Sequence, residues 1–289
     1  REERETILSG YDEVISTIQT GLAIIYDWAE KNMEDINKFG VFSTGYFGLV
    51  KPGNTLELYD GQIRLIGRDG VELEKFDPRN YLEYIAEHVE PWSYLKFPYY
   101  KKLGYPQGVY RVGPLGRCNA SDRMATPLAD AELKRFKQIN DGKPVENTLH
   151  YHTARMIETL YAAENVKVLL DDPDILRKAI LNTCRNPKPQ GVGVIEAPRG
   201  TLIHNYWVKE SGQIEKVNLI VSTGHNNWSM CEAVDSVAKT YIKGPEVSEG
   251  LLNRVEAAIR AHDPCLSCST HAIGQMPITI EFRDPSDRL

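Results

Sequence analysis

The order of two hydrophobic periodicities along the chain constrains its fold more than any other feature of the sequence. Apolar residues recur at helical spacing through residues 4–36, in a stripe formed by Ile7, Ile15, Ile18, Leu22, Ile25 and Trp28. Residues 40–80 change to short strand-like runs, separated by the hairpin turn signals Asp60-Gly61 and Asp69-Gly70. Both patterns recur later without an internal repeat or an obvious linker. The simplest organisation is a single α+β domain, mainly helical, over residues 1–289.

The remaining elements are predicted from the same two patterns. Helical spacing is found at residues 123–140, 147–169, 173–186, 226–242 and 248–261. Strand-like runs cover residues 46–50, 56–59, 63–66, 71–73, 192–198, 201–208, 216–223 and 276–282. Asn147 is a fair N-cap, and a turn at Gly212 suggests a hairpin between two of the strands. The aromatic and proline-rich residues 91–112 are expected to form an irregular, packed connection.

Composition and charge exclude several classes of function. The net charge is −6 and no basic block occurs, which argues against nucleic acid because phosphate binding needs clustered lysines and arginines. No apolar stretch approaches the roughly 20 residues that span a bilayer, and the N-terminal sequence REERETILSG lacks the apolar region of a signal peptide. The five cysteines form an odd set in a chain without secretory features, so we expect reduced thiols or metal ligands. The expected compartment is the cytoplasm.

The sharpest local motif is the sequence DPCLSC at residues 263–268. Two thiols three residues apart, Cys265 and Cys268, can converge on one metal ion from a single turn. A packed loop and a redox CxxC pair are the alternatives. The other cysteines, Cys118, Cys184 and Cys231, are isolated in sequence, and such cysteines are more often buried small apolar residues than ligands. The pair therefore resembles half of a metal site.

A second motif, EAPRG at residues 196–200, holds Arg199 between Pro198 and Gly200. This stiff backbone suits a guanidinium directed at an anion or a metal-bound ligand, although a surface arginine in a turn fits the pattern equally well. Nearby, Gly191 and Gly193 begin a dinucleotide-binding GxGxxG pattern, but Glu196 occupies its sixth position and the match fails. His150 and His152 are ligand candidates for which exposed imidazoles in a first helical turn are the simpler interpretation.

Taken together, these motifs resemble the large subunits of nickel–iron hydrogenases. DPCLSCSTHA (263–272) is similar to the DPCxxCxxH signature of that family, and EAPRGTL (196–202) is similar to its arginine motif. RVGPLGRCNASDRMATPLADAEL, STGHNNWSM and WSYLKFPYYKKLGYPQGVYRVGPL resemble the cytoplasmic, bidirectional, NAD-coupled subgroup. The resemblance covers essentially the whole chain and implies the large-subunit fold, with small peripheral sheets around a helical core. The F420-reducing and NADPH-linked large subunits are similar enough to be confused with it.

The resemblance implies a nickel–iron centre with CO and CN⁻ ligands. Cys265 would be a terminal thiolate ligand of nickel and a proton acceptor, and Cys268 would bridge nickel and iron. His271 would help to bind a nearby Mg²⁺. The family supplies two further cysteine ligands and a proton-transferring glutamate from an N-terminal RxCxxC segment. No such motif precedes Cys118, so we expect about the first third of the large subunit to be missing from this sequence.

The resemblance also implies roles for residues around the metals. Arg199 would lie over the open metal position, and Asp263 would pair with its guanidinium and hold it in place. Pro198, Leu202 and Ser222 would line the pocket of the CO and CN⁻ ligands, with Ser222 donating a hydrogen bond to cyanide.

The expected activity is reversible oxidation of H₂, with electrons passed through an iron–sulfur small subunit to diaphorase subunits and then to NAD⁺. Residues 272–289 resemble the extension that a dedicated maturation endopeptidase removes after nickel insertion. A non-catalytic scaffold related to the quinone-reductase subunit of respiratory complex I is the alternative. The presence of Cys265, Cys268 and Arg199 argues against that scaffold. A small CxxC module is a further alternative, and it would leave the EAPRGTL motif unexplained.

Overall fold

The computed structural model describes residues 2–178, 180–181, 188–244 and 248–265. Its helices are α1 (Glu2–Ser9), α2 (Tyr11–Lys31), α3 (Met33–Ile36), α4 (Tyr81–Tyr84), α5 (Gly113–Ala120), α6 (Pro127–Gln138), α7 (His150–Asp171), α8 (Ser222–His225), α9 (Asn227–Tyr241) and α10 (Glu249–Ala261). Its strands are β1 (Gly45–Lys51), β2 (Thr55–Leu56), β3 (Gln62–Ile66), β4 (Glu72–Phe76), β5 (Ile85–Val89), β6 (Lys96–Tyr100), β7 (Tyr110–Arg111), β8 (Gln190–Ala197), β9 (Gly200–Val208) and β10 (Ile214–Ile220). No helix in the described part of the chain is long and apolar enough to cross a membrane.

The helical prediction for residues 4–36 is confirmed as the three successive helices α1, α2 and α3. The middle of the predicted stripe, Ile15, Ile18 and Leu22, is buried in a core shared with α6 and α7. Its two ends are not buried, because Ile7 is 53% exposed and Trp28 is 46% exposed. Helical spacing identified the helix, but the partner helix covers only the central part of its apolar stripe.

The strands predicted between residues 46 and 73 form most of a five-stranded sheet in the order β2-β1-β3-β4, with β7 parallel to β1. The Asp69-Gly70 turn joins β3 to β4, and Gly70 has the positive φ of 83° that favours glycine. The side chain of α5 residue Arg117 lies over this sheet, where a β-carbon on Gly48 would come within 3.2 Å of it. The sheet therefore carries α5 on one face.

The expectation of an irregular, packed connection at residues 91–112 is wrong in part, because a mainly irregular segment with buried residues also contains the strands β6 and β7. Strand β6 pairs antiparallel with β5 in this segment, with Pro98 opposite Glu87, and β7 follows. Proline is accepted there because β6 forms a ladder only with β5, with no more than an isolated bridge from Tyr99 to Val109 on its other side, so Pro98 lies in an edge strand. Helix α5 was also not predicted, because all of its residues are buried and a helix buried on every side has no amphipathic periodicity.

Two helices begin later than predicted, and a third predicted helix is absent from its described residues. The helix predicted at 123–140 begins at Pro127, and the one predicted at 147–169 begins at His150. Asn147 does not cap it, because its side-chain amide donates instead to the Ile36 carbonyl at 3.0 Å. The prediction for 173–186 is wrong in its described part, where a 3₁₀ turn at Pro173–Leu176 precedes non-helical residues. Ile180 and Leu181 are 90% and 83% exposed, so this segment lacks the apolar packing that stabilises a helix.

The C-terminal half follows the predictions closely. Strands β8, β9 and β10 form an antiparallel sheet, including the hairpin predicted around Gly212. Strand β10 ends at Ile220, and α8 begins two residues later, at Ser222. The Ser248 side chain caps the N-terminus of α10. The strand-like run predicted at 276–282 lies outside the described residues.

Candidate functional site

Arg199 lies in the two-residue turn between β8 and β9, where Ala197 pairs with Gly200. The turn packs against the first residues of α5. A β-carbon on Gly113, whose φ is +80°, would lie 2.8 Å from the Arg199 carbonyl oxygen. One on Gly200, whose φ is +134°, would lie 2.2 Å from a Val112 methyl carbon. Glycine is therefore required on both sides of this contact.

Arg117 of α5 binds the same turn through hydrogen bonds to its backbone carbonyls. Its Nη1 donates to a Glu196 carboxylate oxygen and to the Ala197 carbonyl, each at 2.8 Å. Its Nη2 donates to the Pro198 carbonyl at 3.1 Å, and Nε and Nη2 bind both oxygens of Glu158 at 2.5 and 2.6 Å. The Arg117 side chain is only 3% exposed.

Glu196 connects the turn to the five-stranded sheet. One of its carboxylate oxygens accepts hydrogen bonds from the Leu49 backbone N–H at 3.0 Å and the Thr201 hydroxyl at 2.7 Å. Its side chain is completely buried, which raises the pKa of the carboxyl group, whereas the adjacent Arg117 acts in the opposite direction. Burial of this carboxylate is tolerated because its oxygens are hydrogen-bonded and paired with a guanidinium.

Asp263 follows the C-terminus of α10 with a φ of +52°, in the left-handed region. The Arg199 Nε donates to its backbone carbonyl at 2.6 Å and lies 3.3 Å from one carboxylate oxygen, while Nη2 lies 3.4 Å from the other. The structure therefore brings together two of the predicted site residues, 64 positions apart in sequence. The pair is partly exposed, at 39% for Arg199 and 45% for Asp263.

Cys265 is half-buried, and its backbone N–H donates to the Thr223 hydroxyl at 3.1 Å. Thr223 and the adjacent Ser222 are both buried in α8. The predicted residues Ser222 and Cys265 are thus joined through Thr223, which no sequence motif singled out. Cys268 and His271 lie outside the described residues.

An open cleft of about 330 Å³ lies beside these residues and is lined by Pro198, Asp263, Glu158, Arg155 and Arg117 among others. Pro198 is exposed, and the predicted Leu202 is half-buried on β9. Arg155 donates to the Ala261 carbonyl at 2.9 Å and so holds the end of α10. The cleft therefore reaches the Arg199–Asp263 pair through Asp263.

Sequence reasoning missed Arg117, Arg155, Glu158 and Glu196. Arg117 lies in RVGPLGRCNASD and Glu196 in EAPRGTL, two segments that carried the resemblance, but no local pattern marks them as an ion-pair network. The interpretation of His150 as an exposed imidazole is wrong, since it is buried and burial lowers its pKa to about 4, whereas His152 is exposed. Cys118 is buried, as expected for an isolated cysteine, but Cys231 is exposed.

The described residues contain no group of three or more His, Cys, Asp and Glu side chains able to hold a metal ion. Among the predicted ligands they include one thiol, Cys265, two residues after the Asp263 that binds the Arg199 guanidinium. A single thiol fits a soft-metal centre only where further residues supply the other ligands. It does not fit a complete four-ligand zinc site within the described ranges.

Comparison with known proteins identifies relatives of the whole chain. A family model described as nickel-dependent hydrogenase matches residues 21–271. The beta subunit of the NAD-reducing hydrogenase HoxS of Cupriavidus necator is 44% identical over 299 aligned positions, covering 99% of this chain and 61% of the HoxS chain. A chain of the F420-non-reducing hydrogenase of Methanothermobacter thermautotrophicus is 41% identical, and the alignment covers 98% of this chain and 60% of that relative.

Solved structures share the fold. The crystal structure of an NAD⁺-reducing [NiFe]-hydrogenase in the H₂-reduced state superimposes with a TM-score of 0.89 at 44% identity, covering 94% of this chain and 60% of the other. A [NiFeSe]-hydrogenase from Dm. baculatum has the same fold at a TM-score of 0.68 and 20% identity. The chain spans about three fifths of the length of these relatives. Because the family model covers most of the chain, and because the C. necator relative is similar over nearly all of it, the chain belongs to the nickel-dependent hydrogenases.

Proposed function

We propose that this chain is the C-terminal part of the catalytic subunit of a nickel–iron hydrogenase that oxidises H₂ and reduces protons reversibly. The observation that carries the proposal is the contact of Arg199 with Asp263, two residues before Cys265, in the segment that resembles the family's nickel-binding signature. Electrons would pass through an iron–sulfur small subunit to diaphorase subunits and NAD⁺. The similarity to an NAD-reducing hydrogenase over 99% of this chain supports NAD⁺ as the acceptor.

The metal centre would be held by Cys265 and Cys268, with two more cysteines from a segment that this sequence does not include. Soft thiolates suit nickel and iron, and they bind as deprotonated sulfur. When bound, the centre would supply the heterolytic cleavage of H₂ and accept its two electrons, with CO and CN⁻ completing the iron coordination. His271 would hold Mg²⁺ nearby.

The residues of the chain would handle charge and protons around that centre. The Cys265 sulfur would accept one proton when H₂ is split, because a thiolate is a base as well as a ligand. Arg199 would direct the positive charge of its guanidinium at the reacting atoms. Asp263 would keep this charge in place through its carbonyl and its carboxylate.

Other residues would shape the pocket and the maturation of the enzyme. Pro198, Leu202 and Ser222 would surround the CO and CN⁻ ligands, and the burial of Ser222 supports a hydrogen bond from its hydroxyl in a water-poor pocket. A maturation endopeptidase would remove residues 272–289. The cytoplasm remains the compartment that we propose.

A substitution of Arg199 tests the proposal. The variant is tested in the complete large subunit, assembled with its small subunit. We expect Arg199→Lys to retain nickel and to lower the rate of H₂-dependent NAD⁺ reduction by about 100-fold or more, because the loss of one oriented donor that stabilises charge in a transition state has an effect of this size. The matched control is Arg79→Lys, since Arg79 also pairs with an aspartate, Asp77, but lies on the surface with 75% exposure. The control should keep full activity.

Different results would contradict the proposed function and its separate parts. A purified wild-type complex that has neither nickel nor H₂-dependent activity would contradict the hydrogenase function itself. An Arg199→Lys complex as active per nickel as the wild type would contradict the role of Arg199 and leave the hydrogenase function standing. A complex that oxidises H₂ with an artificial dye but does not reduce NAD⁺ would overturn only the assignment of the electron acceptor.

A further inference from the structure

We propose that Arg117 is a positioning residue for catalysis, which sets the place of Arg199 by binding the two peptide carbonyls that precede it. This inference rests on the proposed hydrogenase function. Arg117 lies on α5, 82 positions before Arg199 in the numbering of the chain, and its side chain is almost completely buried. No feature of its local sequence connects it with the site.

Hydrogen bonds fix the Arg117 guanidinium on all of its sides. The group has five N–H donors in a fixed plane. Two bind the carboxylate of Glu158, one binds Glu196, and the other two bind the carbonyls of Ala197 and Pro198. All five donors are therefore used, and both the position and the orientation of the group are determined.

The two carboxylates hold the guanidinium from different elements. Glu158 belongs to α7, while Glu196 lies at the end of β8 and is fixed by the Leu49 N–H and the Thr201 hydroxyl. Arg117 consequently links α5, α7 and the five-stranded sheet to the turn that carries Arg199. Because buried charges that lose a partner are costly, this arrangement resists displacement.

Arg199 depends on that arrangement for its own place. Its side chain is 39% exposed, and its hydrogen bonds run to Asp263, beyond the end of α10. The backbone before Arg199 is held by Arg117, and its own carbonyl is held by the close contact with Gly113. A lysine at position 117 keeps the charge, but its three donors on one nitrogen cannot reach both carboxylates and both carbonyls.

The test uses the holoenzyme, with Arg117→Lys, Arg199→Lys and the double variant. We expect Arg117→Lys to keep its nickel, its iron and the infrared bands of its CO and CN⁻ ligands, while kcat per nickel falls by about 10- to 100-fold, since misplacement of a catalytic group by 1 Å costs roughly 100-fold. The KM for H₂ should change less than kcat. In the double variant, kcat per nickel should fall no further than in Arg199→Lys, because both changes act through the same guanidinium.

Arg64→Lys is the matched control. Arg64 is also buried and binds two carboxylates, Glu72 and Asp122, and one carbonyl, that of Ala120, but it has no hydrogen bond to the Arg199 turn. The Arg64→Lys variant should have a lower free energy of unfolding and an unchanged kcat per nickel. If Arg117→Lys does not assemble, Glu158→Gln replaces it. That variant keeps the side-chain size and weakens the orientation of Arg117, so we expect a smaller fall in kcat that is again absent in the Arg199→Lys background.

Three results would overturn the positioning role. The first is a wild-type kcat per nickel in Arg117→Lys, or in Glu158→Gln where that variant is used. The second is a fall in kcat per nickel no larger than that of Arg64→Lys. The third is a double variant in which the losses of kcat from the two single variants multiply. In each case an active wild-type complex leaves the hydrogenase function intact. An inactive, nickel-free wild-type complex would instead remove the proposed function.

Discussion

The contact between Gly113 and the Arg199 turn gives a quantitative prediction for Gly113→Ala. Gly113 begins α5 with a φ of +80°, and its missing side chain leaves space for the Arg199 carbonyl. Gly142 has the same φ of +80°, but a β-carbon there would meet nothing within 4 Å. The two glycines therefore share the backbone strain of an alanine substitution and differ in the contact alone.

The expected losses of stability follow from these two contributions. An L-residue in the left-handed region costs about 1–2 kcal/mol, which applies to Gly113→Ala and Gly142→Ala alike. At Gly113 the new methyl would lie 2.8 Å from the Arg199 carbonyl oxygen and 3.2 Å from its carbon, so backbone has to move. Overpacking of this kind costs about 1–3 kcal/mol more. We therefore expect the free energy of unfolding to fall by about 2–5 kcal/mol for Gly113→Ala.

Chemical denaturation of the two variants and the wild type measures that difference directly. The same preparations, assembled into the holoenzyme, should show a lower kcat per nickel for Gly113→Ala and an unchanged one for Gly142→Ala, because only the first displaces the Arg199 turn. Equal losses of stability in the two variants would refute the argument that this contact determines the place of the turn. Normal activity per nickel in Gly113→Ala would refute its link to catalysis.

Two further predictions concern Thr223 and His150. Thr223→Val removes the hydroxyl that accepts the Cys265 N–H, so the holoenzyme should lose about 1 kcal/mol of stability and release nickel faster during dialysis against a chelator. Thr240→Val, which removes a hydroxyl bonded only within α9, is the control, and equal release would contradict the role of Thr223. Burial lowers the pKa of His150 to about 4, below the 6.5 of the unfolded chain. Between these two values the unfolded state binds more protons than the folded state, so stability is lost as pH falls from about 7 towards 4. His150→Gln should remove about 2 kcal/mol of that loss between pH 7 and pH 5, and unfolding curves with the same pH dependence as the wild type would show that His150 is not buried as a neutral group.

The elements that could be predicted are those with a strong local period. The helix at residues 4–36 and the strands around Asp69-Gly70 belong to this class, because one apolar face and one turn signal are visible in a short window. Helix α5 and strand β6 could not be predicted in the same way. The first is buried on every side, and the second carries Pro98, which is acceptable only because of its place in a two-stranded sheet.

The residues of the candidate site likewise fall into those that the sequence marks and those that it does not. Cys265 could be singled out by its spacing from Cys268, whereas the roles of Arg199 and Asp263 were implied by the resemblance of their motifs to the family. Arg117, Glu158 and Glu196 could not, since charged residues are mostly exposed and no local pattern marks these as buried. Their burial depends on partners 41 and 79 positions away in the chain.

The amino-acid order therefore specifies the kinds of chemistry available, namely a thiolate pair and an arginine held between proline and glycine, and it specifies the strongly periodic helices and strands. Only the folded chain decides that α5 approaches the β8–β9 turn, that the end of α10 reaches Arg199, and that Thr223 meets Cys265. The physical reason is the range of the interactions. Periodicity and turn chemistry act between neighbours in sequence, whereas convergence and burial of charged groups depend on the packing of distant elements and on the water that this packing excludes.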